Sequence, residues 1–253
     1  MEDRHSRASI VSMAAIAACL TITLHEGVGH GVTAWLRGDV VTELTSNHLS
    51  SVRPDRLVDA GGTLANLIAG IVSMMISVAS GKRANRRYFF WIFGALNLLS
   101  GAGYFLFSGV LGVGDWEQVI RGLPHYAAHR VIMAVCGAAL YVSFTRLIAM
   151  ELHPFMMSGR DYNTLARLGY VAACAMDCIA GAFDPMGLKL LLISTIPAVF
   201  GGFSGLLWAD LFLPKFSVEQ PLTVRPSRVL WVTAAVIAAL FVGVLGRGVE
   251  FRR

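Results

Sequence analysis

The sequence predicts an all-α polytopic membrane protein, with six or seven transmembrane helices in one bundle and a possible short hairpin after the first helix. Three observations carry that expectation. Of 253 residues, 55% are hydrophobic and 15% charged, with a mean hydropathy of +0.62; a soluble domain carries about 25% charge. Several apolar runs reach the roughly 20 residues that cross a bilayer as a helix. The basic residues behind the net charge of +5 gather in short loops between these runs, as the positive-inside rule describes. The charge is therefore topological, and no aromatic-interleaved basic patch points to a nucleic-acid partner. The expected partner is the lipid bilayer, and the expected place is the cell (inner) membrane with the N-terminus cytoplasmic.

The first run covers about Ala8 to Trp35. Arg4 and Arg7 precede it as in a signal peptide, but no small-residue cleavage site closes it, so it reads as a retained helix. The polar stretch "RGDVVTELTSNHLSSVRPDR" contains the β-prone Val40, Val41 and Thr42 and reads as a short hairpin or an interfacial loop. A second span, about Leu57 to Ser80, ends in "GKRANRR", the strongest cytoplasmic marker in the chain. The third, Tyr88 to about Gly112, is glycine-rich, which suits close helix packing or a helix that breaks beside a cavity. "GDWEQVIRGLPH" reads as an interfacial turn and short amphipathic helix. A fourth span runs from about Tyr126 to Met150.

A weaker, alanine-rich run follows at Leu165 to Phe183, then Leu188 to Leu213, where Pro197 and Gly201-Gly202 should kink or break the helix. The last span is Val229 to Leu245. Seven spans put the basic tail "RGVEFRR" outside, against the positive-inside tendency; six bring it inside but make Leu165–Phe183 re-entrant or peripheral. The whole chain, 1–253, reads as one integral membrane domain without internal repeats. Trp91, Trp116, Trp208 and Trp231 fall near span ends, as interfacial aromatics do. Cys19, Cys136, Cys174 and Cys178 lie in apolar runs as small packing residues, with no disulfide framework.

The chemistry concentrates in "LHEGVGHGVTAW", Leu24 to Trp35. Ionisable residues inside a span are costly and mark functional sites. Two histidines and a carboxylate are what a zinc site uses: imidazoles as ligands and a glutamate as base toward the attacking water. On an α-helix, residues five apart such as His25 and His30 lie about 140° from each other and cannot grip one ion. A single wide turn with i→i+5 bonding brings them together, and such π-bulges recur at functional sites. Gly27 and Gly29 make the backbone permissive for it. The alternative pairs Glu26 with His30, four apart. The bland reading is a hydrogen-bonded polar cluster that packs helices.

These residues also carry a resemblance. "LHEGVGHGVTAWLRGD" resembles the first catalytic helix of the site-2 protease family of intramembrane zinc metalloproteases, with His30 one residue late relative to H-E-x-x-H. "DAGGTLANLIAG" is similar to the family's second element, with Thr63 where proline is usual and Asn66 at the asparagine. "ALNLL", Ala95 to Leu99, matches the start of the third element, whose aspartate arrives later here as Asp115. The resemblance covers about residues 20–120. It implies a core over about 8–120 with additional helices over about 126–247. It further implies Zn2+ held by His25, His30 and Asp115, Glu26 as catalytic base, Asn66 as substrate-binding residue, and a membrane protein as substrate.

Asp184, in "GAFDPMG", is the alternative third ligand, although Asp-Pro before Gly is also ordinary turn chemistry. Asp177 is a further intramembrane acid. His125 and His129 have the four-residue spacing of a shared metal but sit at a helix start between Arg121 and Arg130, which suits a solvated face. Two rival functions stand beside the peptidase: a catalytically inactive homologue acting as a membrane binding protein, and a transporter or channel using the His-Glu-His cluster as an ion relay.

Overall fold

The computed structural model describes residues 4–53, 55–215 and 218–251. Among them, six helices are long and apolar enough to cross a membrane: α1 (Arg7–Leu36), α2 (Arg56–Ala79), α3 (Ala84–Leu111), α5 (Tyr126–Phe155), α7 (Leu191–Phe212) and α8 (Arg228–Leu245). Between α3 and α5 lies the short α4 (Asp115–Ile120), and between α5 and α7 lies α6 (Leu168–Gly181), entered through a wide π turn at Asn163–Arg167. The protein is an integral membrane protein of helical type. Each span begins and ends within a few residues of where hydropathy places it.

The expected hairpin is present. β1 (Val41–Leu44) pairs antiparallel with β2 (Leu49–Ser51), with a bulge between Val41 and Glu43. A third strand, β3 (Val249–Glu250), pairs with the other edge of β1.

Hydrogen bonds tie the helix ends together on two opposite faces. On the face where α1 begins, the Ser6 amide donates to the Val224 carbonyl (2.9 Å), the Leu222 amide to the Pro154 carbonyl (2.9 Å), and Arg4 pairs with Asp161 (3.1 Å). On the opposite face, the Ser46 amide donates to the Leu245 carbonyl (2.8 Å), Asn47 Nδ2 to Asp184 (2.9 Å), and Thr195 Oγ1 to Asn47 Oδ1 (2.7 Å). α8 therefore starts beside the start of α1 and ends beside the hairpin that follows α1. The segment leading into α6 begins near Asp161 on the first face, and α6 ends near Asp184 on the second, so it runs from one face of the bundle to the other. It is not among the six helices long and apolar enough to cross a membrane. Arg252 and Arg253 of the tail lie outside the described residues.

α3 is the central post. Tyr88, Trp91, Ile92, Leu96, Leu98 and Leu99 are fully buried. The Tyr88 hydroxyl donates to the Leu165 carbonyl (2.8 Å), and Trp91 Nε1 to the Ile148 carbonyl (2.9 Å). Trp91 is thus a core residue and not an interfacial one: its indole satisfies a carbonyl where no water competes. Trp231, by contrast, is partly exposed at the start of α8. Neighbouring helices approach through small residues. A Cβ on Gly109 would lie 2.5 Å from the Ala134 amide nitrogen, and one on Gly137 would lie 2.5 Å from that of Leu106. α3 and α5 thus meet backbone to backbone at two levels.

Candidate metal centre

The wide turn anticipated from the five-residue spacing is present and longer than one turn: Thr23–Val32 is π-helical within α1. This brings His25 and His30 onto one side, with ring centroids 4.8 Å apart. Both are buried, as is Glu26. Neither Gly27 nor Gly29 takes a left-handed backbone. Gly29 is needed for a different reason: a Cβ there would run into the Gly62 Cα and lie 2.7 Å from the Gly61 carbonyl oxygen. Gly27 faces open space.

Gly62 is the residue that composition-based reasoning passes over. A Cβ on it would lie 2.5 Å from His30 Nε2 and 2.6 Å from His25 Nε2. The hydrogen side chain on α2 is what leaves room for both imidazole tips. The double glycine in "DAGGTLANLIAG" is the available sequence signal. Tyr104, on α3, stacks on His25 with centroids 4.7 Å apart and ring planes at 15°; a tyrosine flanked by Gly103 is too weak a signal to find it.

The third acid reaches the histidines as the glycine breaks permit. α3 ends at Gly112, with φ of 67°, and Gly114, with φ of 88°, turns the chain back so that α4 starts with Asp115. Glycine takes these left-handed values without the Cβ penalty. Asp115 Oδ2 lies 3.1 Å from His25 Nε2 and 3.5 Å from His30 Nε2, and the two Nε2 atoms are 3.2 Å apart. Burial opposes ionisation of Asp115, yet the neighbouring imidazoles hold its carboxyl well below the usual carboxylate range.

His30 Nδ1 donates to the Val58 carbonyl (2.6 Å). That bond fixes the ring and leaves Nε2 presenting a lone pair, the arrangement that orients metal-binding histidines. Three ligand-type atoms then face one point, and a proton or a cation must lie between them to offset their mutual repulsion. Zinc bonds of about 2.0–2.1 Å in a tetrahedron give ligand–ligand edges of about 3.3 Å. The observed edges of 3.1, 3.2 and 3.5 Å bracket that length, so the residues fit the ion. His25, Glu26 and His30 also form a buried group whose ligand atoms lie within 4.8 Å of one another.

Asn66 is buried on α2, one turn beyond Gly62, and its Oδ1 has no hydrogen-bond partner among the described residues. Asp184, the alternative third ligand, is held by Asn47 Nδ2 and the Met186 amide (both 2.9 Å), and its described contacts include neither His25 nor His30. It serves to tie the end of α6 to the hairpin. His129 Nδ1 bonds the His125 carbonyl (3.1 Å) at an exposed helix start. Asp177 is buried on α6 with both carboxylate oxygens unpaired among the described residues.

No protein-family model matches the sequence, no curated protein matches it, and no solved structure matches it.

Proposed function

We propose that the protein is an intramembrane zinc metallopeptidase, hydrolysing a peptide bond of a membrane-embedded protein. The observation that supports this best is the triangle formed by His25 Nε2, His30 Nε2 and Asp115 Oδ2, with tetrahedral edge lengths, inside apolar helices. In this reading those three residues hold Zn2+, which supplies Lewis-acid polarisation of water and of the scissile carbonyl. Glu26, adjacent to His25 and buried with it, takes the proton from the attacking water and returns it to the leaving amine. Tyr104 clamps the His25 ring, and the Val58 carbonyl clamps that of His30. The unpaired Oδ1 of Asn66 is an acceptor for a substrate amide. β2, an edge strand packed against the π segment, offers an extended peptide a partner of unpaired backbone groups. The face bearing Arg4, Arg7 and the "GKRANRR" loop is assigned to the cytoplasm.

A second reading comes from the buried His25-Glu26-His30 group: Glu26 is itself a ligand and Asp115 an outer partner. Elemental analysis of purified protein separates the two. The first reading expects one zinc per chain in the wild type, none in His25→Ala/His30→Ala, and retained zinc without hydrolysis in Glu26→Gln. Loss of zinc from Glu26→Gln, with retention in Asp115→Asn, favours the second. A wild type without stoichiometric zinc, whose phenotype survives His30→Ala, overturns both.

A further inference from the structure

Away from the proposed metal centre, a cavity opens on the face where α1 begins. It has a volume of about 840 Å³ and sits between the starts of α1, α6 and α8. Its composition is graded. Arg7 and Arg160 line it, both exposed, together with Asn163; Val11, Leu168 and Trp231 supply an apolar wall. No acidic side chain lines it among the described residues. The indole of Trp231 is fixed by its Nε1 donating to Ser9 Oγ (3.2 Å).

The placement identifies the occupant. Arg7 is the first residue of α1, and Arg228, three residues before Trp231, is the first of α8, so two membrane-spanning helices begin at this cavity. Its mouth falls where α1 and α8 begin, the level at which basic residues flank spanning helices, and Val11 lies one helical turn further along α1. A basic mouth over an apolar wall complements a molecule with a negative head and hydrocarbon tails. Basic pockets between spanning helices bind anionic headgroups in this way. The volume is within the usual range of small-ligand sites, about 300–1,000 Å³.

We propose that this cavity binds one anionic phospholipid, its phosphate between Arg7 and Arg160 and an acyl chain along Val11, Leu168 and Trp231. The site is separate from the proposed peptidase centre and does not rest on it.

Trp231 provides the probe. The protein is placed in phosphatidylcholine nanodiscs, and brominated phosphatidylglycerol or brominated phosphatidylcholine is titrated in while tryptophan emission is followed. The component of emission due to Trp231 is defined by difference from Trp231→Phe. Each arginine near the surface is worth roughly fivefold toward an anionic lipid, so the pair contributes a preference of about 25-fold. The expected result is quenching of the Trp231 component at a correspondingly lower fraction of the anionic lipid. That preference falls to near unity in Arg7→Gln/Arg160→Gln, and inorganic phosphate does not relieve the quenching. Both substituted residues are exposed, so an unchanged thermal transition verifies the fold. Equal quenching by the two lipids overturns the proposal, as does a preference that survives in the double variant. Relief by millimolar inorganic phosphate also overturns it, because the site then reads a free anion and not a lipid.

Discussion

Replacing Gly62 by alanine tests whether the imidazole tips are positioned by the absence of a side chain on the facing helix. The added Cβ would lie 2.5–2.6 Å from His30 Nε2 and from His25 Nε2 and Cε1. Ordinary contact begins near 3.4 Å, so the rings must retreat by about 0.8 Å or α2 must move away. Metal sites hold their ligand distances to about ±0.2 Å, and the required shift is several times larger. On the proposed zinc reading, disturbing a partner outside the ligand set costs about 10–100-fold in affinity, and displacing the proposed ligands themselves sets the expected loss at 100-fold or more. Overpacking costs the fold about 1–3 kcal/mol. The assay is chelator competition on purified protein in detergent, with the thermal transition followed in parallel. Gly27→Ala is the control, since its Cβ meets nothing within 4 Å; it keeps zinc affinity within about threefold. A Gly62→Ala protein that keeps its fold and binds zinc within threefold of wild type would refute the reasoning.

Gly29→Ala acts on the same seam from the other side, against backbone that cannot yield, and is expected to destabilise by about 3 kcal/mol, read as a lowered thermal midpoint. Trp91→Phe removes the indole's bond to the Ile148 carbonyl, which stays within the α5 helix ladder, and costs about 1 kcal/mol for the lost hydrogen bond by the same readout, with no change in metal content. Asp161 carries a pH dependence: burial raises its carboxyl, but the Met157 amide and Arg4 outweigh that and hold it below the ordinary value of 3.8. Because the folded form is the more acidic, this stabilisation is present above that value and is lost as pH falls through the lower folded one. Thermal midpoints measured from pH 6 to 3 should fall less steeply in Asp161→Asn than in wild type; parallel curves would dismiss the ion pair as a contributor.

What was legible in the sequence is what local periodicity and spacing encode. The six apolar spans follow from hydropathy, and the hairpin from Val40, Val41 and Thr42. The wide turn follows from a five-residue histidine spacing that no regular α-helix can use. Asp115 follows from the family resemblance, with the glycine-interrupted segment only allowing the chain to turn back toward the histidines. α6 was ambiguous in the sequence for a physical reason: it is packed among other helices, with Asp177 only 1% exposed, so it need not be as apolar as a helix facing lipid. Trp91 was misplaced because its position near a span end does not reveal the carbonyl that its indole meets on α5. β3 was invisible because a two-residue strand depends on a partner some 200 positions away. Gly62 and Tyr104 act only through the tertiary arrangement, one by leaving space and one by stacking on a ring from another helix.

The contact of Gly29 with Gly61 and Gly62 also decides which parts of the molecule are free to move. Two backbones pressed together at that level cannot slide or rotate past each other without collision, so α1 and α2 form a fixed jaw. On the proposed peptidase reading, a substrate would reach the centre from the other side. The elements there are the hairpin, a small three-stranded sheet tied to α6 by Asn47 and Asp184, and α4, a helix of six residues swung between glycine turns. Asp115 is carried on α4, which packs against α2 and α3, so the acid's place beside the histidines depends on how that one short helix is seated.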